Sequence, residues 1–398
     1  MNSHSTVLVI GATGRVGRHV VAGLRAAGVT VRALVRTPEV AGLPPDVELA
    51  QGDVYDPDAV RRAADGADAA FLLWPSFSAD GAEPVVAALP KRVVYLSAVT
   101  TSGVWGHVEE LLAKNGRDWT YLRPTGFAVN AQAWAEDFRT GDTVRLPFPE
   151  AGRSLIHERD IAAVAVLTLL DDRHVGETYV LTGPEVLTQA EQVQTIARAV
   201  GKPMRIEEQS PAEARQSMLD MGADPALADS SVTYWSSLAD DPEPVTTTVP
   251  RLTGRPARTF AEWAEEHADE FRVLSTAEIA DRYVAALSAG RVDDALALAA
   301  PDAVRVAPLE TDGEEVELQG TEAVLENARR LSVDVEYLAV DLLGPFVLDD
   351  HFAVRFTFDQ RNTRSGRRYR TTKLSLCTVA DGRIVREEVF YYTPPNGN

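Results

Sequence analysis

VLVIGATGRVGRHVVAGL, residues 7–24, joins an apolar run of strand length to a turn with glycines at 11, 14 and 17, then to apolar residues at helical spacing. The glycines permit a tight turn, close approach of backbone amides to a diphosphate, and tight packing of helix on strand. The helix start also carries partial positive charge that favours an anion. Strand, turn and helix in this order predict a dinucleotide site built on Gly11, Thr13, Gly14, Arg15, Val16 and Gly17.

Outward from that loop, apolar runs at 6–10, 29–35, 47–51, 69–74, 92–97 and 119–123 alternate with helical stretches, several of them closed by glycine. Repeated units of this kind predict an α/β fold, a doubly wound parallel (Rossmann) sheet covered by helices on both faces. Past Pro124 the pattern loosens into a helix at HERDIAAVAVLTLLDD, a strand at GETYVLTG and a helix at LTQAEQVQTIARAVG. These form a smaller substrate-side region at the strand ends. Residues 230–258, rich in Asp, Pro and Thr, read as loop.

From Ser275 the order changes to helices first and then strands near 303–318, 336–348, 351–361, 367–380 and 383–392. Consecutive antiparallel strands after helices indicate an α+β domain. The boundary falls near Phe271, giving domains of 1–271 and 272–398. Period-two alternation puts Phe352, Val354, Phe356 and Phe358 on one face, expected to be buried, and His351 and Asp359 on the other. Glu388 and Tyr391 lie on opposite faces of the last strand, so only one of them lines a pocket.

The 398 residues carry 39 basic and 59 acidic side chains, net −20, a balance that repels nucleic-acid backbones and anionic membranes. One cysteine, Cys377, excludes an intrachain disulfide and a cysteine metal cluster, and fits a reducing compartment. No targeting segment and no apolar run of membrane length is read, so a cytoplasmic location is expected. No metal site is expected.

At the end of the second strand an NAD enzyme places Asp or Glu for the ribose hydroxyl. Val35 and Arg36 stand there instead. Arg36, with Arg15 in the loop, can pair with a 2′-phosphate, which favours NADPH; the alternative for Arg36 is a solvated surface residue. Asp53 and the amide of Val54 follow the third strand and suit an adenine, or form a helix cap or turn. Trp74, Pro75 and Ser97, at the ends of the fourth and fifth strands, are expected among the cofactor contacts, with a helix or turn cap as the alternative for Ser97.

GATGRVGRHV, ALVRTPE, QGDVYDP, LSAVT, WTYLRPTGF and HERDIAAVA, in this order, resemble the NmrA-like atypical short-chain dehydrogenases over residues 5–271. The GxxGxxG spacing is that of the extended short-chain type. The resemblance implies a reductase of quinones, enones, ketones or imines, or a cofactor-sensing regulator without catalysis. Typical short-chain dehydrogenases protonate their substrate with a Tyr and a Lys four residues on. None of the first domain's tyrosines has that lysine; the chain holds only Lys91, Lys114, Lys202 and Lys373. Tyr369 and Lys373 have the offset, but on a strand of the second domain.

At the expected place stand His107 and Glu109, which with Ser97 are the catalytic candidates that the resemblance implies. Histidine exchanges protons near neutrality; the alternative for both residues is a solvent-facing helix position. Phe77, Trp74, Phe127 and Trp134 are candidates for an aromatic substrate pocket, with core packing as the alternative.

Residues 275–392 resemble the SnoaL-like branch of the nuclear transport factor 2-like superfamily, chiefly through FAVRFTFDQRNTRSGRRYRTTKLSLCTVADGRIVREEVFYY. The likeness implies a cone around an apolar pocket, a cyclase, isomerase, binding or dimerisation role, and Tyr391 as a candidate pocket residue. Together the two likenesses imply an NADPH-dependent reductase of secondary, polyketide-type metabolism acting on an aromatic or polycyclic small molecule, as a homodimer. The alternative is a non-catalytic dinucleotide sensor.

Overall fold

The computed structural model describes residues 5–38, 41–100, 103–311 and 314–392. The chain divides into two compact units, Met1–Arg272 and Val273–Asn398.

The first unit is built on β1 (Thr6–Ile10), β2 (Thr30–Val35), β3 (Glu48–Gln51), β4 (Ala69–Leu73), β5 (Arg92–Leu96) and β6 (Asp118–Pro124). Between these strands run α1 (Gly17–Ala26), α2 (Pro57–Ala64), α3 (Ala82–Ala88) and α4 (Val104–Lys114). Next come α5 (Ala135–Thr140), β7 (Thr143–Pro147), β8 (Gly152–Arg153), α6 (Glu158–Leu170), β9 (Thr178–Leu181), β10 (Leu187–Thr188), α7 (Gln189–Val200) and β11 (Arg205–Gln209). The main sheet is parallel throughout, in the order β3-β2-β1-β4-β5-β6-β9. Its central strands read as unbroken apolar runs because both faces are covered. Val20 and Leu24 of α1 pack with Ile161 and Val164 of α6 on one face. Val60 of α2, Val86 of α3 and Leu112 of α4 pack on the other.

The substrate-side region has its own core around Phe138, Val144, Ile196, Trp263 and Phe271. Short ladders β7–β11 and β8–β10 tie it together. After α8 (Pro211–Asp220), about half of the stretch expected to be loop is helical, with the end of α9 (Pro225–Ser237) and α10 (Thr248–Thr253) ahead of α11 (Phe260–Glu266). Asp224 caps α9 by accepting from Leu227 N at 2.9 Å, with Pro225 at its first position, a strong start signal. The Thr and Ser residues that looked like loop fold their hydroxyls back onto the helix: Thr233 donates to Asp229 O and Ser237 to Tyr234 O.

The second unit opens with α12 (Thr276–Ser288) and α13 (Val292–Leu296), followed by β12 (Ala299–Thr311), β13 (Glu314–Gln319), α14 (Thr321–Ser332), β14 (Val335–Leu348), β15 (His351–Asn362), β16 (Arg368–Ala380) and β17 (Arg383–Tyr391). The sequence reading had no counterpart of α14. The sheet order is β13-β12-β17-β16-β15-β14, antiparallel except where β12 and β17 pair in parallel. Phe352, Val354 and Phe356 are buried against Ile279 and Ala280 of α12, as the alternation predicts. At the end of the strand the alternation fails: Phe358 is half-buried and Asp359, expected to point outward, is buried and paired with Arg368, while His351 lies beside Asp350.

Candidate active site

β1 delivers the chain to Gly11, whose φ of +86° suits glycine alone at no steric cost. Gly14 N donates to Gly11 O at 3.0 Å and closes the turn. A Cβ at Gly17 would stand 2.0 Å from Gly11 O, and one at Gly14 would stand 3.2 Å from it. Thr13, Gly14 and Arg15 remain exposed while Val16 and Gly17 are buried. The loop therefore forms a cradle that side chains would fill, at the start of α1, and it fits a diphosphate.

A groove of about 320 Å³ extends from this cradle along the carboxyl ends of β1, β2 and β4. Gly11, Thr13, Arg36, Asp53, Val54 and Pro75 all line it, so six of the residues singled out in the sequence meet in one place. Arg36 is exposed and forms no ion pair among the described residues. Asp53 lines the groove and also forms the turn contact given as its alternative, its Oδ1 accepting from Tyr55 N at 3.1 Å. Tyr55 lines the groove as well, and the sequence reading missed it. Its signal was an aromatic residue on the loop two positions beyond Asp53.

Two expected cofactor contacts are placed elsewhere. Trp74 is buried in the core under α2, α3 and α4, its ring edge against Tyr55 and its Nε1 donating to Ser78 O at 2.8 Å. Its neighbours Leu73 and Pro75 reach the groove instead, because consecutive residues leaving a strand point to opposite sides. Arg15 turns away from Arg36 and donates from Nη1 to Val129 O at 3.2 Å.

The catalytic candidates separate. Ser97, just past β5, is buried; its amide donates to Leu122 O, and its Oγ has no hydrogen-bond partner in the protein. An unpaired buried hydroxyl at the ligand edge of a parallel sheet suits a bound group that supplies the partner. Glu109 is not solvent-facing as its alternative reading had it: it is buried on α4 and clamps Arg123 of β6 through two hydrogen bonds, Nε to Oε1 at 2.9 Å and Nη2 to Oε2. A carboxylate so engaged holds helix to strand and is not a free acid. His107 is exposed, with Nδ1 at 3.8 Å from Glu110 Oε2. Burial, and then the Glu109 carboxylate, push the phenols of Tyr95 and Tyr121 up. That is the opposite of the depressed phenol that a neighbouring lysine produces.

Phe77 is exposed and meets Trp105 edge to face at 6.3 Å between ring centres, so the loop after β4 and the first turn of α4 present an aromatic pair close in sequence to His107. Phe127 and Trp134 are half-buried against the core of the substrate-side region. They match the packing alternative.

In the second unit the structure brings together a charged cluster that local spacing does not reveal. Arg305 of β12 and Glu387 of β17 are register partners, with Nη1 at 3.2 Å from Oε2. Lys373 of β16 lies 4.8 Å from the centre of the Phe356 ring, and Tyr283 of α12 lines the same cavity. Burial disfavours the Glu387 carboxylate, but Arg305 and Lys373 outweigh it and hold the acid below its ordinary value. Tyr391 lines an adjoining polar cavity, and Glu388 does not.

The comparisons with known proteins agree with this architecture. Residues 11–172 match the family described as NAD(P)H-binding, and residues 280–387 match the SnoaL-like domain family. The chain belongs to the NAD(P)H-binding reductase family and carries an additional SnoaL-like domain; it is an NAD(P)H-dependent oxidoreductase. Among its relatives, a (4-alkanoyl-5-oxo-2,5-dihydrofuran-3-yl)methyl phosphate reductase of Streptomyces griseus is 35% identical over 281 residues, spanning 67% of this chain and 99% of that protein. An NAD(P)H azoreductase of Xenophilus azovorans is 32% identical, with 67% and 99% covered. In fold, an NADPH-dependent quinone oxidoreductase of Escherichia coli superposes with a TM-score of 0.56 at 22% identity, over 65% of this chain and 98% of that one. Among the described residues no group of side chains is placed to hold a metal ion, and no helix is long and apolar enough to cross a membrane.

Proposed function

We propose that the first unit uses NADPH to reduce an electrophilic aromatic or polycyclic quinone, enone, ketone or imine of secondary, polyketide-type metabolism, and that the SnoaL-like unit binds or further converts the same molecule. The observation that carries the reading is the groove that runs from the glycine cradle to Arg36, at the end of β2 where an NAD enzyme would place a carboxylate. Gly11, Gly14 and Gly17 would receive the diphosphate, Arg36 the 2′-phosphate, and Asp53 with Tyr55 the adenine side. When bound, the dinucleotide supplies a hydride.

The chain's own residues then have a limited task. With no Tyr–Lys pair in the first unit and Glu109 engaged by Arg123, proton delivery falls to exposed His107 or to solvent. A substrate that is already electrophilic needs little acid, so holding it over the cofactor does most of the work. The edge-to-face pair of Phe77 and Trp105 supports a stacking role toward such a substrate. The Streptomyces relative's substrate, by its name a 5-oxo-2,5-dihydrofuran, is an electrophile of this kind.

The single buried Cys377 supports a cytoplasmic setting, and the exposed Leu338, Val340, Phe346 and Leu348 of β14 support a homodimer. The engagement of Glu109 also favours a second reading, a dinucleotide sensor without turnover. Incubating the protein with NADPH and a panel of quinones, polyketide-like ketones and azo compounds decides between them. Loss of NADPH absorbance with any of these supports the reductase. Tight NADPH binding without consumption across the panel selects the sensor.

A further inference from the structure

The second unit holds two adjoining, partly open cavities of about 370 and 480 Å³, each within the size range of small-molecule sites. The first is walled by apolar side chains, among them Leu287, Leu296, Val324, Leu342, Phe356 and Ile384. The second is polar, lined by Asn327, Gln360, Tyr369, Thr371 and Tyr391 among others. Arg305, Lys373 and Phe358 line both, so the two cations stand at the junction of the two cavities.

Charge sorts this space from the rest of the molecule. Its described lining holds four cationic side chains, Arg305, Arg330, Arg367 and Lys373, against two carboxylates, Asp334 and Glu387, in a chain of net charge −20. A cationic pocket in an acidic protein selects by local field rather than by overall attraction. Glu387 is mostly buried and directs Oε2 at Arg305, and the buried Ser375 hydroxyl beside it also supports the carboxylate.

We propose that this cavity binds an amphipathic organic anion, its apolar body among Leu287, Leu342 and Phe356 and its anionic oxygen at Arg305 and Lys373, where it competes with Glu387 for the two cations. The assignment rests on the reading that the second unit binds a small molecule, and its test does not depend on whether the first unit turns over. It makes Glu387 a gate on affinity: the carboxylate neutralises the cations in the empty pocket, and a ligand oxygen must displace its influence.

The test is calorimetric titration of the full chain, saturated with NADPH to fill the first unit's groove, using 2-naphthoate and the isosteric 2-naphthamide. The expected result is 2-naphthoate binding at least about tenfold tighter than the amide. Lys373→Met should remove that preference and leave amide binding in place. Glu387→Gln should tighten 2-naphthoate several-fold, a gain that misfolding cannot mimic. Equal affinity for acid and amide in the parent protein overturns the proposal, as does a Glu387→Gln variant that binds the acid no more tightly.

Discussion

Glu109 of α4 and Arg123 of β6 form a two-pronged ion pair whose carboxylate side chain is only 7% exposed. The pair joins a helix and a strand fourteen residues apart at the ligand end of the sheet. Removing one partner of a buried pair strands the other charge, so Glu109→Ala should destabilise the first unit by roughly 3 kcal/mol. His107→Ala removes an exposed side chain from the same helix and should leave stability unchanged. Denaturation read by circular dichroism, alongside turnover, separates the roles. Under the reductase reading His107→Ala slows turnover without weakening cofactor binding, and unchanged turnover leaves His107 a surface residue.

Gly17 and Gly14 sit on the same turn but tolerate a methyl group differently. The Gly17 Cβ would lie 2.0 Å from backbone oxygen, which cannot yield without opening the turn, whereas at Gly14 the contact is 3.2 Å and a small shift relieves it. Gly17→Ala should weaken NADPH at least about 100-fold or prevent folding, and Gly14→Ala should cost about tenfold or less. Titration by cofactor fluorescence measures both. Comparable losses in the two variants would contradict the packing role of Gly17.

The parts of this protein legible in its sequence are those fixed by near neighbours. The glycine loop and the strands of the first sheet show because turn geometry and two-sided burial act within a few residues, and the Phe352–Phe356 alternation shows for the same reason. Trp74 and Pro75 were read alike as groove residues, but their alternation off β4 sends one into the core. Glu109 carried no local sign of its partner, because Arg123 arrives from the next strand. Arg305, Lys373 and Glu387 come from three strands and meet only through register: Arg305 opposite Glu387, Lys373 opposite Phe356. Register across 82 residues leaves no trace in local spacing. The helix α9 was hidden by composition, since its Ser and Thr residues favour loops until their hydroxyls turn back on the helix.

Arg36 tests cofactor choice directly. Its side chain lines the groove, is exposed and has no carboxylate to hold it among the described residues, so it is available for a 2′-phosphate. Arg36→Asp replaces a charge-assisted contact with repulsion and should raise the dissociation constant for NADPH about 10- to 100-fold, with NADH little affected. Direct binding titrations with the two dinucleotides check this. Equal losses for both would remove the 2′-phosphate assignment.

The pH dependence of stability should carry the mark of His267 and Glu158, which lie 3.4 Å apart in the substrate-side region. Burial works against a protonated His267, but hydrogen bonds to Glu158 and to the Trp263 carbonyl outweigh it and raise the imidazole above its ordinary value. Burial likewise works against the Glu158 carboxylate, yet its bond to His267 and its own backbone contact lower its value overall. A raised histidine stabilises fully below its unfolded pKa and loses that contribution as pH rises through the folded one; a lowered glutamate stabilises above its unfolded pKa and loses it on acidification. The pair therefore contributes between these limits, in mildly acidic to neutral solution. Buried His157 opposes it at the acid side, since burial lowers its value and protonating it favours unfolding. His267→Gln should thus lower the denaturation midpoint more at about pH 6 than at about pH 8.5. The same loss at both values would show that His267 acts only through its stacking on Trp263, whose ring lies 4.5 Å away.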